Sequence, residues 1–203
     1  MPLPLSLQDT WEAISQDDVW YAQSGLLQAI NAESSAIKYK TRISKEDSVE
    51  MECTVKAWGS IPDAGGQERY HAGVCLIAED DPTMDYVTIQ LARNVPPIPT
   101  SLYGHHLISM LFKGVHYTLL DPAVPGQTYV LKLRYDGTTK RVYAYINGSY
   151  KKSFLWTPTL DIYKELICVS VGAGESGPER ASSDFGPLKW AVTHTESYSD
   201  NWT

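Results

Sequence analysis

Apolar and polar residues alternate with a period of two along much of the chain from residue 36 onward. Residues 49–57 alternate in this way, which predicts a strand with one buried and one solvated face. Residues 86–93 alternate as cleanly, so Thr88 and Gln90 are predicted to face away from the core. These patterns indicate antiparallel sheets with one face packed on a common core.

The segment from Tyr129 to Phe154 predicts a three-stranded meander. Its strands are separated by Asp136-Gly137 and Asn147-Gly148, residue pairs that favour tight hairpin turns. A further hairpin is predicted for residues 106–120 around Lys113-Gly114. Along the whole chain we expect about eleven to thirteen short strands and no long helix, which is typical of a sandwich or barrel.

The 203 residues are expected to form a single domain, because all-β sandwiches of this length are commonly undivided. Residues 1–24 are interpreted as an N-terminal extension or a short helix capped by Asp9 or Thr10. The last predicted strand is Phe185 to Val192, followed by a C-terminal tail at residues 193–203. Both ends are therefore expected to lie outside the sheets.

The charge pattern excludes several partners. The net charge is −7 and no long Lys/Arg cluster occurs, so no nucleic-acid partner is expected. No apolar run reaches the roughly 20 residues of a membrane span, so no membrane partner is expected. The N-terminus lacks a basic leader segment, which predicts a cytoplasmic protein, or a secreted one if a signal segment has been removed. The oligomeric state does not follow from the sequence.

The cysteines do not suggest a disulfide framework or a metal site. Cys53, Cys75 and Cys168 are odd in number and lie inside apolar runs, so they are interpreted as buried thiols. An acidic turn at residues 79–81 with Asp85 is rich in oxygen ligands. It lacks the ligand spacing of a calcium site, so it is interpreted as a solvated turn. No metal or cofactor is therefore expected, and calcium is the ion that would fit best if one bound.

Three segments resemble the concanavalin A-like lectin/glucanase superfamily. They are the meander that ends in Asn147-Gly148, the stretch Val169-Ser170-Val171-Gly172, and the stretch Asp184-Phe185-Gly186-Pro187-Leu188-Lys189-Trp190. The resemblance covers roughly residues 129–192. It implies an all-β, two-sheet antiparallel jelly-roll sandwich. The superfamily includes lectins, glycoside hydrolases, polysaccharide lyases and members that bind no carbohydrate, so the fold does not fix the function.

The resemblance also implies that a ligand binds on the concave face of one sheet. Polar residues at outward positions of the predicted strands are the candidates to line that face. The candidate catalytic residues are His71 and Glu52. The candidate ligand-binding residues are Thr88, Gln90, Tyr103, His105, Tyr117, Arg134, Tyr143 and Tyr145.

Two details bear on catalysis. The acidic pair formed by Glu50 and Glu52 is predicted to share one solvated face, a spacing compatible with glycoside hydrolysis, although an ordinary acidic strand gives the same pattern. The superfamily's hydrolase pattern E-x-D-x-x-E is absent. One of the adjacent residues His105 and His106 is a candidate general base. His71, His105, His116 and Tyr117 are expected to gather in one cleft if the sandwich forms.

Three functions remain open. The main hypothesis is a lectin-like domain that binds a glycan or small molecule on the concave face. The alternative is an enzyme on the same scaffold: a glycoside hydrolase, a polysaccharide lyase, or a small-molecule cyclase or isomerase. The third is a protein-interaction domain. A deep site that holds His71, Gln90 and a carboxylate would favour the enzyme, and a shallow groove with exposed tyrosines would favour the lectin.

Overall fold

The structure is a computed structural model. It describes residues 11–15, 20–23, 26–32, 34–60, 70–78, 85–93, 104–124, 126–169, 181–193 and 196–200. Within these ranges the chain forms sixteen strands arranged in two antiparallel sheets. No helix in the described part is long and apolar enough to cross a membrane.

The first sheet has seven strands in the order β1-β4-β13-β6-β7-β8-β9. Their bounds are β1 (Trp11–Ser15), β4 (Ser34–Tyr39), β6 (Tyr70–Ile77), β7 (Tyr86–Arg93), β8 (Leu107–Phe112), β9 (Val115–Leu120) and β13 (Tyr163–Val169). The predicted hairpin at residues 106–120 is confirmed as β8 and β9.

The second sheet has nine strands, seven of them in the order β12-β11-β10-β5-β14-β3-β2, with β15 paired to β5 and β16 to β15. Their bounds are β2 (Trp20–Gln23), β3 (Leu26–Ala32), β5 (Val49–Ser60), β10 (Tyr129–Asp136), β11 (Arg141–Ile146), β12 (Ser149–Leu155), β14 (Ala181–Phe185), β15 (Leu188–Val192) and β16 (Glu196–Asp200). The predicted meander is confirmed as β10, β11 and β12.

The two sheets pack on a shared apolar core. Alternate residues of β5 and β10, such as Met51 and Leu133, point into it and are fully buried. Alternate residues of β6 and β7, such as Val74 and Ile89, meet them from the other sheet. The strand period therefore assigns each side chain either to the core or to the outer face of its own sheet.

A lysine also lies inside the sandwich. Lys164 on β13 is fully buried, with its Nζ 3.8 Å from the ring centroid of Tyr39 and 2.8 Å from that of Trp190. Tyr39 belongs to the first sheet and Trp190 to the second. The ammonium thus contacts aromatic faces from both layers, an attractive arrangement for a buried cation.

The structure corrects both predicted ends. The helix expected from Asp9 or Thr10 is absent from the described part, where residues 11–15 form β1 and pair with β4. The tail expected at 193–203 contains β16, which pairs with β15. The last predicted strand is divided at Gly186-Pro187. Proline cannot donate to the ladder, and a Cβ at Gly186 would lie 1.6 Å from Thr54 Oγ1.

Asp85 is a buried anchor and does not belong to a solvated turn. Its carboxylate accepts hydrogen bonds from Trp156 Nε1 at 2.7 Å and from the Thr159 backbone N–H at 2.9 Å. Lys113 Nζ lies 3.3 Å away. Burial alone would raise the pKa of Asp85, but these hydrogen bonds and the lysine charge outweigh it and hold the pKa below its usual value. Residues 79–81 lie outside the described residues.

Replacing this anchor should be costly. Asp85→Ala leaves the buried indole N–H of Trp156 without its acceptor, so we expect the free energy of unfolding to fall by about 2–3 kcal/mol. Urea denaturation measures the loss. Asp161→Ala removes an exposed carboxylate that accepts a single long bond from Lys45 and should change stability by less than about 0.5 kcal/mol. Equal losses in the two variants would show that Asp85 is not an anchor.

Candidate functional site

Four neighbouring strands of the seven-stranded sheet place polar side chains on the same side. Gln90 on β7 lies directly opposite Ser109 on β8 and opposite Gly73 on β6. His71 is two residues from Gly73 and so lies diagonally across from Gln90, about 7–8 Å away by sheet geometry. His116 on β9 pairs with Leu111, two residues from Ser109, and therefore faces the same way. All four point away from the core.

These outward positions are not solvated. Every residue of β7 between its two ends is buried, including Gln90, which is 2% exposed, and Ser109 next to it on β8 is 0% exposed. Four polar atoms on this face are buried without a hydrogen-bond partner in the described part of the chain. They are His71 Nδ1, Gln90 Oε1, Ser109 Oγ and His116 Nε2. Buried polar groups are almost always hydrogen-bonded, so a cluster of four unpartnered atoms marks this face as a candidate binding site.

Gly73 leaves space in the middle of this group. A Cβ at this position would lie 2.1 Å from the carbonyl oxygen of Ile89 and 2.9 Å from the Cβ of Gln90. Any side chain would therefore push β6 and β7 apart at Gln90. The glycine permits the close approach of the two strands and keeps the surface between His71 and Gln90 open.

Both histidines favour their neutral forms. Burial lowers the pKa of His71 to about 4, although part of its side chain reaches the surface. Burial also lowers the pKa of His116. Desolvation disfavours the charged imidazolium, and no described carboxylate compensates for it at His71. At neutral pH each ring therefore has a nitrogen that can accept a proton.

Charged side chains lie on the same face toward the edge strand β1, on β13 and β4. Glu165 is buried, and it pairs in register with Lys38 on one side and with Cys75 on the other. Lys38 Nζ lies 4.5 Å from the ring centroid of Tyr163, and the guanidinium carbon of Arg42 lies 4.6 Å from the same centroid. The face thus has a neutral, buried centre and a charged edge.

The structure divides the residues predicted from the sequence. His71, Thr88 and Gln90 come together on the outer face of the seven-stranded sheet. Four others lie on the outer face of the nine-stranded sheet, on the far side of the sandwich: Glu52, Arg134, Tyr143 and Tyr145. One ligand cannot contact both sets, because a two-layer core about 10 Å thick separates the sheets. Period-two patterns identify outward residues but do not say to which sheet they belong.

Three more predicted residues stand apart. His105 is exposed and lies 2.9 Å from Asp121. Tyr117 turns toward the core, with its ring centroid 4.4 Å from that of Phe154. Tyr103 lies outside the described residues. Of the three histidines expected in one cleft, His71 and His116 share the buried face.

Ser109 and Glu165 were not predicted. Ser109 is the one polar residue in the run Leu107–Phe112, and that interruption is a usable signal once the strand has been placed. Glu165 gave no such signal, because its neighbour Lys164 is a polar residue at an inward position and hides the alternation at the start of β13.

The described residues contain no group of three His, Cys, Asp or Glu side chains able to hold a metal ion. Cys53 and Cys75 are buried free thiols, and burial raises the pKa of both. They pack as small apolar residues in their strands. The side chain of Cys168 lies outside the described residues.

No protein-family model and no curated protein matches the sequence. Solved structures nevertheless resemble it over most of its length. The alginate lyase from Alteromonas sp.272 gives a TM-score of 0.66 at 11% identity, covering 96% of this chain and 99% of that one. The alginate lyase from Corynebacterium sp. gives 0.65 at 10% identity, covering 93% and 96%. The marine PL7 alginate lyase from Zobellia galactanivorans gives 0.62 at 15% identity, covering 88% and 82%.

The fold is the concanavalin A-like jelly-roll β-sandwich. The resemblance that residues 129–192 carry in the sequence is thus confirmed for the fold. Within this sandwich, the buried polar atoms of His71, Gln90, Ser109 and His116 lie on the outer face of the seven-stranded sheet.

A binding site of this kind should trade stability for function. Ser109→Ala removes a buried hydroxyl that has no partner among the described residues, so we expect stability to rise by about 0.5–1 kcal/mol while ligand affinity falls. Ser183 is the matched control, because it is also buried with an unpartnered Oγ but belongs to the nine-stranded sheet. Ser183→Ala should stabilise the protein without affecting ligand binding. Loss of stability in Ser109→Ala would show that its hydroxyl is satisfied.

His71 should also make folding sensitive to acid. Its pKa falls from 6.5 to about 4 on folding. As the pH is lowered, the unfolded chain therefore takes up this proton before the folded chain does. Stability is complete above about pH 6.5 and declines as the pH falls toward 4, by roughly 3 kcal/mol. In His71→Gln, the urea midpoints measured near pH 6.5 and near pH 4 should lie closer together than in the wild type. In the exposed control His105→Gln, the difference between the two midpoints should be the same as in the wild type. If His71→Gln lost as much stability on acidification as the wild type, His71 would not be the source of the acid sensitivity.

Proposed function

We propose that this chain is a polysaccharide lyase that cleaves an acidic polysaccharide by β-elimination on the outer face of its seven-stranded sheet. The observation that carries the proposal is the set of buried, unbonded polar atoms of His71, Gln90 and Ser109, which lie within one patch around Gly73. The similar solved structures, several of which are alginate lyases, support this choice among the enzymes. The proposal favours the enzyme alternative over the lectin-like hypothesis.

The patch contains the groups that β-elimination needs. A base removes the proton from the sugar carbon next to the carboxylate, a double bond forms, and the glycosidic C–O bond breaks. His71 is neutral at neutral pH and accepts that proton, and it returns the proton to the departing oxygen. A bound sugar carboxylate would raise the pKa of His71 and strengthen it as a base.

Gln90 and Ser109 have a separate role. As the proton leaves, negative charge develops on the sugar carboxylate. The hydroxyl of Ser109 donates a hydrogen bond to it, and Gln90 Oε1 accepts one from a neighbouring sugar hydroxyl. Donors held in a buried site stabilise such charge well, because little water competes and no reorganisation is needed. The cations Lys38 and Arg42 at the edge of the same sheet fit a polymer that carries further carboxylates.

Hydrolysis fits less well. Glycoside hydrolases generally need two carboxylates on either side of the scissile bond. The acidic pair of the sequence, Glu50 and Glu52, lies on the other sheet. Glu50 forms an ion pair with Lys132, and Glu52 lies 3.7 Å from Lys189. Elimination requires a base and charge stabilisation, and the patch around Gly73 provides both.

The activity can be assayed directly. Sodium alginate and polygalacturonate are incubated with the protein, and the ultraviolet absorbance of the new C4–C5 double bond is followed. We expect activity on at least one polymer, a loss in kcat of about 100-fold or more in His71→Ala, and an acid limb of kcat/KM near pH 4. Lys189→Ala, on the other sheet, should retain activity. Failure of both polymers to react, or full activity in His71→Ala, would refute the proposal.

A further inference from the structure

The opposite side of the sandwich has a different surface. Tyr143 and Tyr145 face outward from β11, and Tyr150 on the edge strand β12 pairs in register with Tyr145. The ring centroid of Tyr150 lies 5.9 Å from that of Tyr145 and 6.5 Å from that of Tyr143. These three residues form a cluster that we call the tyrosine platform. Tyr150 is 56% exposed, so the platform presents an aromatic ring to solvent.

The strands that carry the platform are basic, although the chain as a whole has a net charge of −7. Strands β10, β11 and β12 contain more cations than anions. The cations are Lys132, Arg134, Arg141 and Lys151, and the carboxylate of these strands is Asp136. Lys152 points inward, with its Nζ 4.8 Å from the ring centroid of Tyr117, and Glu50 on the neighbouring β5 pairs with Lys132. The local field therefore attracts anions against the overall charge of the protein.

Two of the cations are held over the tyrosines. Lys132 Nζ lies 5.5 Å from the ring centroid of Tyr145, and the guanidinium carbon of Arg134 lies 5.8 Å from that of Tyr143. Lys132 is also ion-paired with Glu50, whereas Arg134 lies 3.8 Å from Asp136. The contact with Tyr143 orients the Arg134 side chain along the platform and lowers the entropy lost when it binds an anion. Arg134 also keeps nearly half of its side chain exposed.

A depression continues the surface beyond Arg134. It has a volume of about 250 Å³, and its lining includes Glu50, Arg134, Ala191 and Thr193. The path from Tyr150 to this depression crosses β12, β11, β10, β5 and β15. Five neighbouring strands span about 19 Å, which suits an oligosaccharide segment better than a single sugar.

We propose that the tyrosine platform and the depression beside Arg134 bind a segment of an acidic polysaccharide, as a second glycan site on the side opposite His71. The apolar face of a sugar ring stacks on Tyr150, while Arg134 binds a sugar carboxylate. The ligand class follows from the charges of this surface, so the inference does not depend on catalysis. A site of this kind keeps the polymer attached to the protein, because two linked sites raise the effective concentration at each other.

The test is electrophoresis in native gels that contain either sodium alginate or neutral dextran. His71→Ala is used as the background, so that the polymer is not consumed. We expect alginate, and not dextran, to retard the protein. Adding Tyr150→Ala and Arg134→Ala together should weaken the alginate affinity about tenfold. Adding Lys189→Ala instead removes one exposed charge from the outer face of the same sheet, as Arg134→Ala does, and should change the affinity little.

Three results would overturn the inference. The first is unchanged retardation in the Tyr150/Arg134 variant. The second is a loss of alginate affinity in Lys189→Ala equal to that in the Tyr150/Arg134 variant, which would mean that binding depends on net charge alone. The third is a wild-type dimer in sedimentation velocity that Tyr150→Ala converts to a monomer, which would make the platform an interface between two copies of this chain. Alginate binding that requires Tyr150, in a protein without lyase activity, would uphold this inference and refute the proposed function alone.

Discussion

Strand β7 has to be buried on both of its faces, and the arrangement of the candidate site depends on that constraint. One face supplies Val87, Ile89 and Leu91 to the core, as an alternating strand in a sandwich must. The other face buries Thr88 and Gln90, which are polar. A buried polar group is costly unless it is bonded. Thr88 meets the thiol of Cys75, but Gln90 Oε1 has no partner in the described part of the chain. The unmet bonds make this face the candidate site.

The two sides of the sandwich present different chemistry for the same geometric reason. A single core fixes which residues of every strand point outward, so each sheet has an outer face that is free to vary. On the seven-stranded sheet that face is buried, neutral at its centre and rich in unbonded polar atoms. On the nine-stranded sheet it is exposed, basic near β10 to β12, and carries tyrosines. The first suits proton transfer, and the second suits reversible attachment of a polymer.

Much of the fold follows from the sequence. The period of two located β5, β7 and the hairpin of β8 and β9, and Asp136-Gly137 with Asn147-Gly148 located the meander. The pattern failed where a strand is short or interrupted: β1 was taken for a helix, and Gly186-Pro187 divides what was predicted as one strand.

The site was predictable in part. His71, Thr88 and Gln90 were found, but the sheet to which Glu52 and Arg134 belong is decided by strand pairing over long separations, which local alternation does not contain.

The proposed function depends on the assignment of the ligand to the outer face of the seven-stranded sheet. A crystal structure of His71→Ala with an acidic oligosaccharide tests that assignment most directly. We expect a sugar over Gly73 with its carboxylate bonded to the hydroxyl of Ser109 and a sugar hydroxyl donating to Gln90 Oε1. A structure with sugar bound elsewhere, and with Gln90 and Ser109 bonded to other parts of the chain, would contradict it.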